Sequence, residues 1–317
     1  MSTLHPFAPT DQAGSTPVLA LLAAGCSGIF VAVQARINAE LGTELGSALV
    51  AALVSFTTGL LAVLVVVVLR PAARAAVPLV RSVPRWALLG GLGGASLVAV
   101  GAAAAPQLGV ALLSVGLVAG QISGGLVVDR VGLGPGAPQE LSPPRLLAAG
   151  LCLVAVVLGA VGGAMAPFHP VLVAAVVVAG FLIAGQQALN GRVRMATGHA
   201  AVATLVNFAV GTAALGSLVA VLAFLGVLGP LTWPGEWWLY LGGPLGAAFV
   251  AVAAVVVRRL GVLRLGLAVI AGQLTGGVLL DLLLPVADQA LRALTLVAVA
   301  LTFLAVGITG IRRGHPA

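Results

Sequence analysis

Amide side chains recur at matched positions in two long apolar stretches of this sequence. Gln34 and Asn38 are four residues apart, and Gln186 and Asn190 repeat this spacing 152 residues later. Residues four apart share one face of an α-helix, so each pair would place two amides side by side. An amide in an apolar setting is costly unless it is paired. These faces therefore predict either hydrogen bonds between helices or the polar lining of a substrate cavity.

A second matched set lies in two glycine-rich segments. The segment AGQISGG carries Gln121 and Ser123, and the segment AGQLTGG carries Gln273 and Thr275. The glycines around each Gln favour close helix packing, which is the simpler interpretation. The alternative is that Gln121 and Gln273 line the same cavity as the first amides, with the two hydroxyls as secondary contacts.

Two acidic residues follow these segments. Asp129 stands beside Arg130, which predicts a solvated helix end or a local ion pair. Both carboxylates are candidates for a coupling or gating role. Asp281 is followed by Leu282 and has no adjacent base, so it is the stronger of the two. The sequence has no zinc motif, phosphate-binding loop or nucleophile motif. We therefore expect no metal, no cofactor and no enzymatic activity.

The composition indicates which elements must position these residues. The chain has 317 residues, of which 61% are hydrophobic and 7% are charged, whereas about 25% of residues are charged in soluble proteins. The natural solvent is therefore lipid, and each span must be helical because a lone strand would leave backbone groups unpaired. Runs of about 20 apolar residues predict ten transmembrane helices. They cover residues 16–38, 47–69, 86–105, 108–128, 145–166, 169–190, 200–226, 238–257, 261–283 and 292–311.

The chain contains two copies of one repeat, related by an offset of 152 residues. Between residues 86 and 129, 20 of the 44 positions are identical to their partners at 238–281. Each copy has five predicted spans, an odd number, so the second copy enters the membrane from the opposite side. The predicted fold is all-α, with a tail at 1–15, a first repeat at 16–166, an inverted second repeat at 168–311 and a tail at 312–317.

The arginines predict the orientation of the spans. With both termini in the cytoplasm, 13 of the 15 Arg residues lie on the cytoplasmic side and two lie outside, as the positive-inside rule requires. The net charge of +7 does not indicate nucleic acid, because the arginines lie in short clusters between apolar runs. The expected partners are the lipid bilayer and a small molecule, and a homodimer is left open.

These motifs resemble a known family. The Gln-x-x-x-Asn pattern of both copies, the Ser-Phe and Asn-Phe segments at 55 and 207, and the paired AGQ segments resemble the YdcZ-like branch of the drug/metabolite transporter (DMT) superfamily. The chain is similar to a fused pair of the five-span units found in that branch. The resemblance implies a DMT/EamA-like exporter in a bacterial inner membrane. Some relatives use a Glu in the first helix for proton coupling, whereas this chain has Gln34 and Gln186 there.

The leading hypothesis is a secondary transporter that works by alternating access between inverted repeats. A cavity lined by amides and hydroxyls suits a small, neutral or weakly polar metabolite or drug better than a charged one. Export rather than uptake follows from the resemblance alone. The alternatives are a channel-like facilitator, which would share the polar lining, and a membrane scaffold that transports nothing and assembles through its Gly-rich faces.

Overall fold

The computed structural model describes residues 17–160, 170–283 and 293–310, which are almost entirely helical. Short 3₁₀ helices at Val77–Ser82, Arg85–Gly90 and Trp237–Leu241 connect the longer elements. The α-helices are α1 (Pro17–Leu45), α2 (Ala48–Leu69), α3 (Pro71–Ala76), α4 (Gly91–Val131), α5 (Pro143–Ala160), α6 (Pro170–Thr197), α7 (Ala200–Phe224), α8 (Gly242–Leu283) and α9 (Ala293–Gly310).

Several of these helices have the length and apolar character of membrane spans. In the described part of the chain, five helices qualify, and a pair bent by 116° at residues 82–85 would make a sixth. The five are Val18–Leu45, Ala48–Leu69, Pro170–Thr197, Ala200–Phe224 and Trp237–Leu280. Their surfaces expose many large apolar side chains, as expected of helices that face lipid. The chain is thus a multi-pass membrane protein, and the expected total of ten spans stays a prediction.

Helix α8 reverses its direction at Gly261. This residue has φ of 75° and ψ of 171°, which no α-helix accommodates. A Cβ at Gly246 would lie 2.6 Å from Gln34 Nε2, and one at Gly276 would lie 3.0 Å from Ala32 Cβ. A straight helix would separate residues 246 and 276 by about 45 Å, yet both contact the same turn of α1. Residues 242–260 and 262–283 are therefore two arms of a helical hairpin.

Helix α4 folds back on itself in the same way. The backbone N–H of Gly94 donates to Gln186 Oε1 at 2.6 Å, and a Cβ at Gly124 would lie 2.9 Å from Ala184 Cβ. These two glycines are again 30 residues apart, and both contact one turn of α6. The reversal of α4 lies between Gly94, which contacts Gln186, and Gly116, which contacts Val176.

The two halves of the chain exchange their packing partners. Helix α1 packs along the α8 hairpin of the second half, and α6 packs along α4 of the first half. The glycine contacts match at the offset of 152. A Cβ at Gly28 would lie 2.8 Å from Gln273 N, and one at Gly180 would lie 3.0 Å from Gln121 N. Each half therefore reaches its native packing only against the other.

The matched helices α2 and α7 run antiparallel where they meet. Going along α2, Leu53 contacts Gly216 and Phe56 contacts Gly211, while Gly59 contacts Phe208. The partner residue numbers fall as the α2 numbers rise. The Phe56 and Phe208 rings pack with centroids 5.2 Å apart, and glycines at 59 and 211 leave room for them.

The turns that precede α2 and α7 are also matched. Gly46 and Gly198 have φ of 76° and 73°, a left-handed conformation that Gly adopts without strain. Ser47 then caps α2 by accepting from Val50 N at 3.3 Å, whereas His199 gives α7 no side-chain cap.

Several of the expected boundaries are wrong, among them that of α6, which continues to Thr197, seven residues past the expected end at 190. Helix α1 continues to Leu45, seven residues past the expected end, so Glu40 lies on the helix rather than in a connection. The expected connection at 70–85 instead forms α3 and the 3₁₀ helix Val77–Ser82. Residues 39–45 and 71–76 are rich in good helix formers such as Ala, Leu and Glu, and a search for apolar runs does not detect this propensity.

Candidate functional site

The amides of α6 are buried between helices. Gln186 is 5% exposed and accepts the hydrogen bond from Gly94 N in α4. Asn190 is 4% exposed, and its Nδ2 donates to Asn207 Oδ1 in α7 at 3.0 Å. A Cβ at Gly90 would lie 2.7 Å from Asn190 Oδ1, so glycine allows this approach. The α6 amide face thus points into the protein and holds three helices together.

The matched amides of α1 also face the protein interior, against the first arm of α8. Gln34 lies against Gly246, and Asn38 lies against Gly242 and Ser55. Asn38 Oδ1 and Ser55 Oγ are buried and have no hydrogen-bond partner among the described residues. Ser55 stands where the second half has Asn207, and its shorter side chain does not form the bond that Asn207 makes with Asn190. The four amides do not face lipid, and their contact with a substrate stays a prediction.

The second set of predicted site residues lies on the second arms of the two hairpins. Gln121 is half-buried and Gln273 is exposed. Ser123 is exposed, and its hydroxyl donates to Ala119 O at 2.8 Å. Thr275 is half-buried and donates to Ala271 O at 2.8 Å. Both hydroxyls are thus used inside their own helices, and the contribution of these four residues to a binding site stays a prediction.

Asp129 is buried in a polar cluster at the hairpin tip of α8. Its carboxylate accepts from Val262 N at 2.7 Å and Leu263 N at 3.1 Å. It also forms an ion pair of 2.7 Å with Arg145 Nη2, and both side chains are nearly inaccessible. Arg145 Nη1 donates to Gln139 Oε1 as well. We call Asp129, Gln139, Arg145 and the N–H groups of Val262 and Leu263 the Asp129 cluster.

The expectation for Asp129 was partly wrong. It forms a local ion pair, but with Arg145 rather than the adjacent Arg130, which is exposed. It is also buried rather than solvated, because the tip of α8 covers it. Asp281 lies near the end of α8, and its side chain is outside the described residues.

Two cavities lie at opposite ends of the molecule. One, of about 600 Å³, is mostly apolar. It is lined by Val33, Arg36, Ile37, Glu40, Trp238, Leu280 and Leu283. The other, of about 410 Å³, lies beside Arg192 and the 134–136 turn. We call these the Glu40 end and the Gly261 end.

The two ends carry different side chains at matched positions of the repeat. Arg192 occupies the position that Glu40 holds in the first half, and Trp86 is the partner of Trp238. At the Gly261 end, Arg192 lies 5.4 Å from the Trp86 ring centroid. Its guanidinium also donates to Leu133 O and, at 2.8 Å, to Gly132 O. No group of three or more His, Cys, Asp or Glu side chains that could hold a metal occurs among the described residues.

Comparison with known proteins identifies the family. The profile of a family described as "Putative inner membrane exporter, YdcZ", within the DMT group, matches residues 19–158 and again 171–308. The chain belongs to the DMT YdcZ family. This confirms the resemblance inferred from the residues. The chain is therefore a multi-pass protein of the inner membrane, in a family that is described as exporters rather than as enzymes.

The fold of this YdcZ-family chain also occurs among solved structures. A crystal structure with 19% sequence identity superposes with a TM-score of 0.65 and covers 93% of this chain and 96% of its own. At this identity the match shows a common fold and nothing about function. No curated protein matches the sequence.

Sequence reasoning missed three residues at the Gly261 end, namely Gln139, Arg145 and Arg192. Arg145 donates to Gln139 and Asp129 within the first half, and Arg192 joins the two halves. Arg145 and Arg192 were counted only as cytoplasmic positive charges. A signal was present, because Arg192 and Glu40 are matched residues that differ in charge sign, as are Glu140 and Arg292, which indicates that the two ends are built differently.

Proposed function

We propose that this YdcZ-family protein is a secondary exporter that moves a small, neutral or weakly polar molecule by alternating access between two inverted halves. The observation that carries the proposal is the exchange of packing between the halves. Matched glycines at 28 and 180 make the same close contacts with matched arms of α8 and α4. Two halves with equivalent contacts can interchange conformations at similar energy, which gives an inward-open and an outward-open state.

Three observations support ten spans and an inverted relation. The reversals in α4 and α8 turn two long helices into four arms, so each half supplies five membrane-crossing segments. The matched helices α2 and α7 are antiparallel, as a two-fold axis in the membrane plane requires. The distribution of Arg residues in the sequence favours a cytoplasmic Gly261 end and cytoplasmic termini.

The chemistry of the interior supports a substrate without a net charge. The polar side chains that the two halves turn toward each other near the Phe56–Phe208 contact are amides and hydroxyls, such as Gln34, Gln186 and Ser55. Such groups donate and accept hydrogen bonds without a charge to match. In this proposal Asp281 remains the candidate for coupling, because carboxylates in spans commonly mark ion or proton pathways.

The inverted topology can be tested with one matched pair of cysteines. Native Cys26 and Cys152 are first replaced by Ser, and Ala75→Cys and Val227→Cys are made separately. Both positions are exposed and are related by the offset of 152. We expect a membrane-impermeant maleimide applied to intact cells to label residue 227 and not residue 75. Equal labelling of both from outside would rule out the inverted arrangement.

The substrate class can be tested with purified protein. A panel of neutral amide- and hydroxyl-bearing solutes is compared with charged solutes of similar size, by thermal shift and then by flux in proteoliposomes. We expect a neutral solute to stabilise the wild type but not Gln121→Leu. Flux against a gradient, driven by a proton or sodium gradient, would exclude a passive facilitator. Stabilisation by charged solutes alone would contradict the proposed substrate class.

A further inference from the structure

The Asp129 cluster joins the two halves at the Gly261 end. Asp129, Gln139 and Arg145 belong to the first half, and the N–H groups of Val262 and Leu263 belong to the second. Arg192, also of the second half, donates to carbonyl oxygens of the first-half turn at Gly132. The bonds from Val262 N, Leu263 N and Arg192 to the first half must be broken if the halves part at this end.

The bonds of this cluster are strong for physical reasons. The carboxylate accepts from the first two N–H groups of the second arm of α8, where the helix dipole favours a negative charge. Charge-assisted hydrogen bonds are roughly twice as strong as neutral ones. The residues are also out of contact with solvent, with Asp129 at 5% and Arg145 at 5% exposure, so water does not weaken the pair.

The Glu40 end carries different residues from the Gly261 end. At the offset of 152, Arg192 corresponds to Glu40, so the side chain that donates to carbonyl oxygens at one end is an acid at the other. A cavity of about 600 Å³ lies at the Glu40 end, between α1, the 3₁₀ helix Trp237–Leu241 and the second arm of α8. Arg36 and Glu40 both line it. Among the described residues, the contacts at the two ends therefore differ although the interior packing is matched.

We propose that the Asp129 cluster is the closing contact of the gate at the Gly261 end, and that Asp129 is its central positioning residue. Release of Asp129 from the N-terminus of residues 262–283 frees the tip of α8 from the first half and opens that end. Arg145 holds the carboxylate in place and neutralises it while the gate is closed. This inference rests on the proposed alternating-access function, and it assigns to the cluster the resting preference for a closed Gly261 end.

The test uses accessibility reporters at the two ends, in a background without Cys26 and Cys152. Ala188→Cys reports on the Gly261 end, because Ala188 is fully buried and packs with Val257 and Leu260 near the tip of α8. Ala51→Cys reports on the opposite end, where it packs with Leu41 and Leu239. Alkylation of each reporter by N-ethylmaleimide is timed in detergent-solubilised full-length protein.

Asp129→Asn is the decisive variant, since it keeps the shape of the side chain while removing its charge and placing an NH₂ group among donors. We expect Ala188→Cys to react about tenfold faster in this variant, and Ala51→Cys to react no faster. Arg145→Gln, which leaves the carboxylate on the helix N-terminus, should give a smaller increase. Glu140→Gln is the matched control, because Glu140 is exposed on the same connection, and it should change neither rate.

Two outcomes would overturn the gate proposal. One is an equal acceleration of both reporters, which would mean general loosening. The other is a monodisperse Asp129→Asn or Arg145→Gln protein with unchanged alkylation rates.

A separate experiment tests the underlying function with Asp129 intact. Joining Glu40→Cys to Leu280→Cys with a bifunctional maleimide should close the Glu40 end and accelerate Ala188→Cys. If it does not, alternating access itself fails, whichever result Asp129→Asn gives.

Discussion

The interior of the protein and its two ends differ in how far they keep the internal symmetry. In the interior, Gly28 and Gly180 make equivalent contacts, and Phe56 and Phe208 pack against each other. At the ends, Arg192 corresponds to Glu40, and the buried ion pair of Asp129 with Arg145 lies at the Gly261 end. The comparison indicates that the packing of the interior was kept after duplication, while the charged residues at the ends diverged.

The largest difference between the ends should come from the buried ion pair. Arg145→Leu leaves Asp129 without its cation in a site that water does not reach. We expect the free energy of unfolding to fall by about 3–5 kcal/mol, as for other broken buried pairs. Unfolding by SDS from detergent micelles measures this change. Arg130→Leu is the control, because exposed Arg130 is next to Asp129 in sequence only, and it should cost less than about 1 kcal/mol.

Substitution of the glycines at matched interior positions should destabilise the two halves equally. A Cβ at Gly28 would overlap Val269 O, and a Cβ at Gly180 would overlap Leu117 O. We expect Gly28→Ala and Gly180→Ala to lower the free energy of unfolding by similar amounts, about 1–3 kcal/mol each, because backbone cannot yield like a flexible side chain. Unequal losses in the same SDS titration would show that the interior symmetry is only apparent.

Substitutions in the matched polar pairs Asn38/Ser55 and Asn190/Asn207 should differ by a smaller amount in their effect on stability. Asn207→Leu removes the acceptor of Asn190 Nδ2, which should cost about 1–2 kcal/mol because a buried donor loses its partner. Ser55→Ala removes a hydroxyl to which no described residue is hydrogen-bonded, so stability should be unchanged or slightly higher. Thermal unfolding in detergent distinguishes the two. A clear loss in Ser55→Ala would show that its hydroxyl is bound to something in solution.

The smallest expected effect concerns the tryptophans. Trp86 lies under the Arg192 guanidinium, whereas its counterpart Trp238 shares a cavity with Glu40. Replacing each Trp with Leu removes similar apolar contact, but only Trp86→Leu also removes a cation–π contact. We expect Trp86→Leu to be more destabilising by about 0.5–1 kcal/mol, measured by thermal unfolding. The reverse order would remove this distinction between the ends.

Much of the architecture follows from the sequence because apolarity and repetition are both visible in it. Gly109 and Gly261 are aligned by the offset, and the apolar runs break near both. The structure turns α8 at Gly261, where the sequence placed the start of a span. The family followed from spaced amides and glycines, and the profile match confirms it.

The exchanged packing and the Asp129 cluster did not follow from the sequence. A run of apolar residues specifies that a helix is buried in lipid but not which neighbour it contacts, so nothing indicated that α1 packs along α8. Asp129 has Arg130 beside it in sequence, and the true partner Arg145 is reached only because the chain between them folds back. Local charge spacing predicts contacts on one helix, whereas this pair joins the ends of two helices.

The exchange of partners between the halves has a consequence for biosynthesis. Helix α1 leaves the ribosome first, but the surface that covers Gly25 and Gly28 belongs to residues 268–273, which are synthesised more than 200 residues later. The glycine stripe of α1 must therefore remain in the bilayer without its native neighbour while most of the chain is translated and inserted. Assembly is thereby a late event, and a chain that stops before α8 has no route to the packing described above.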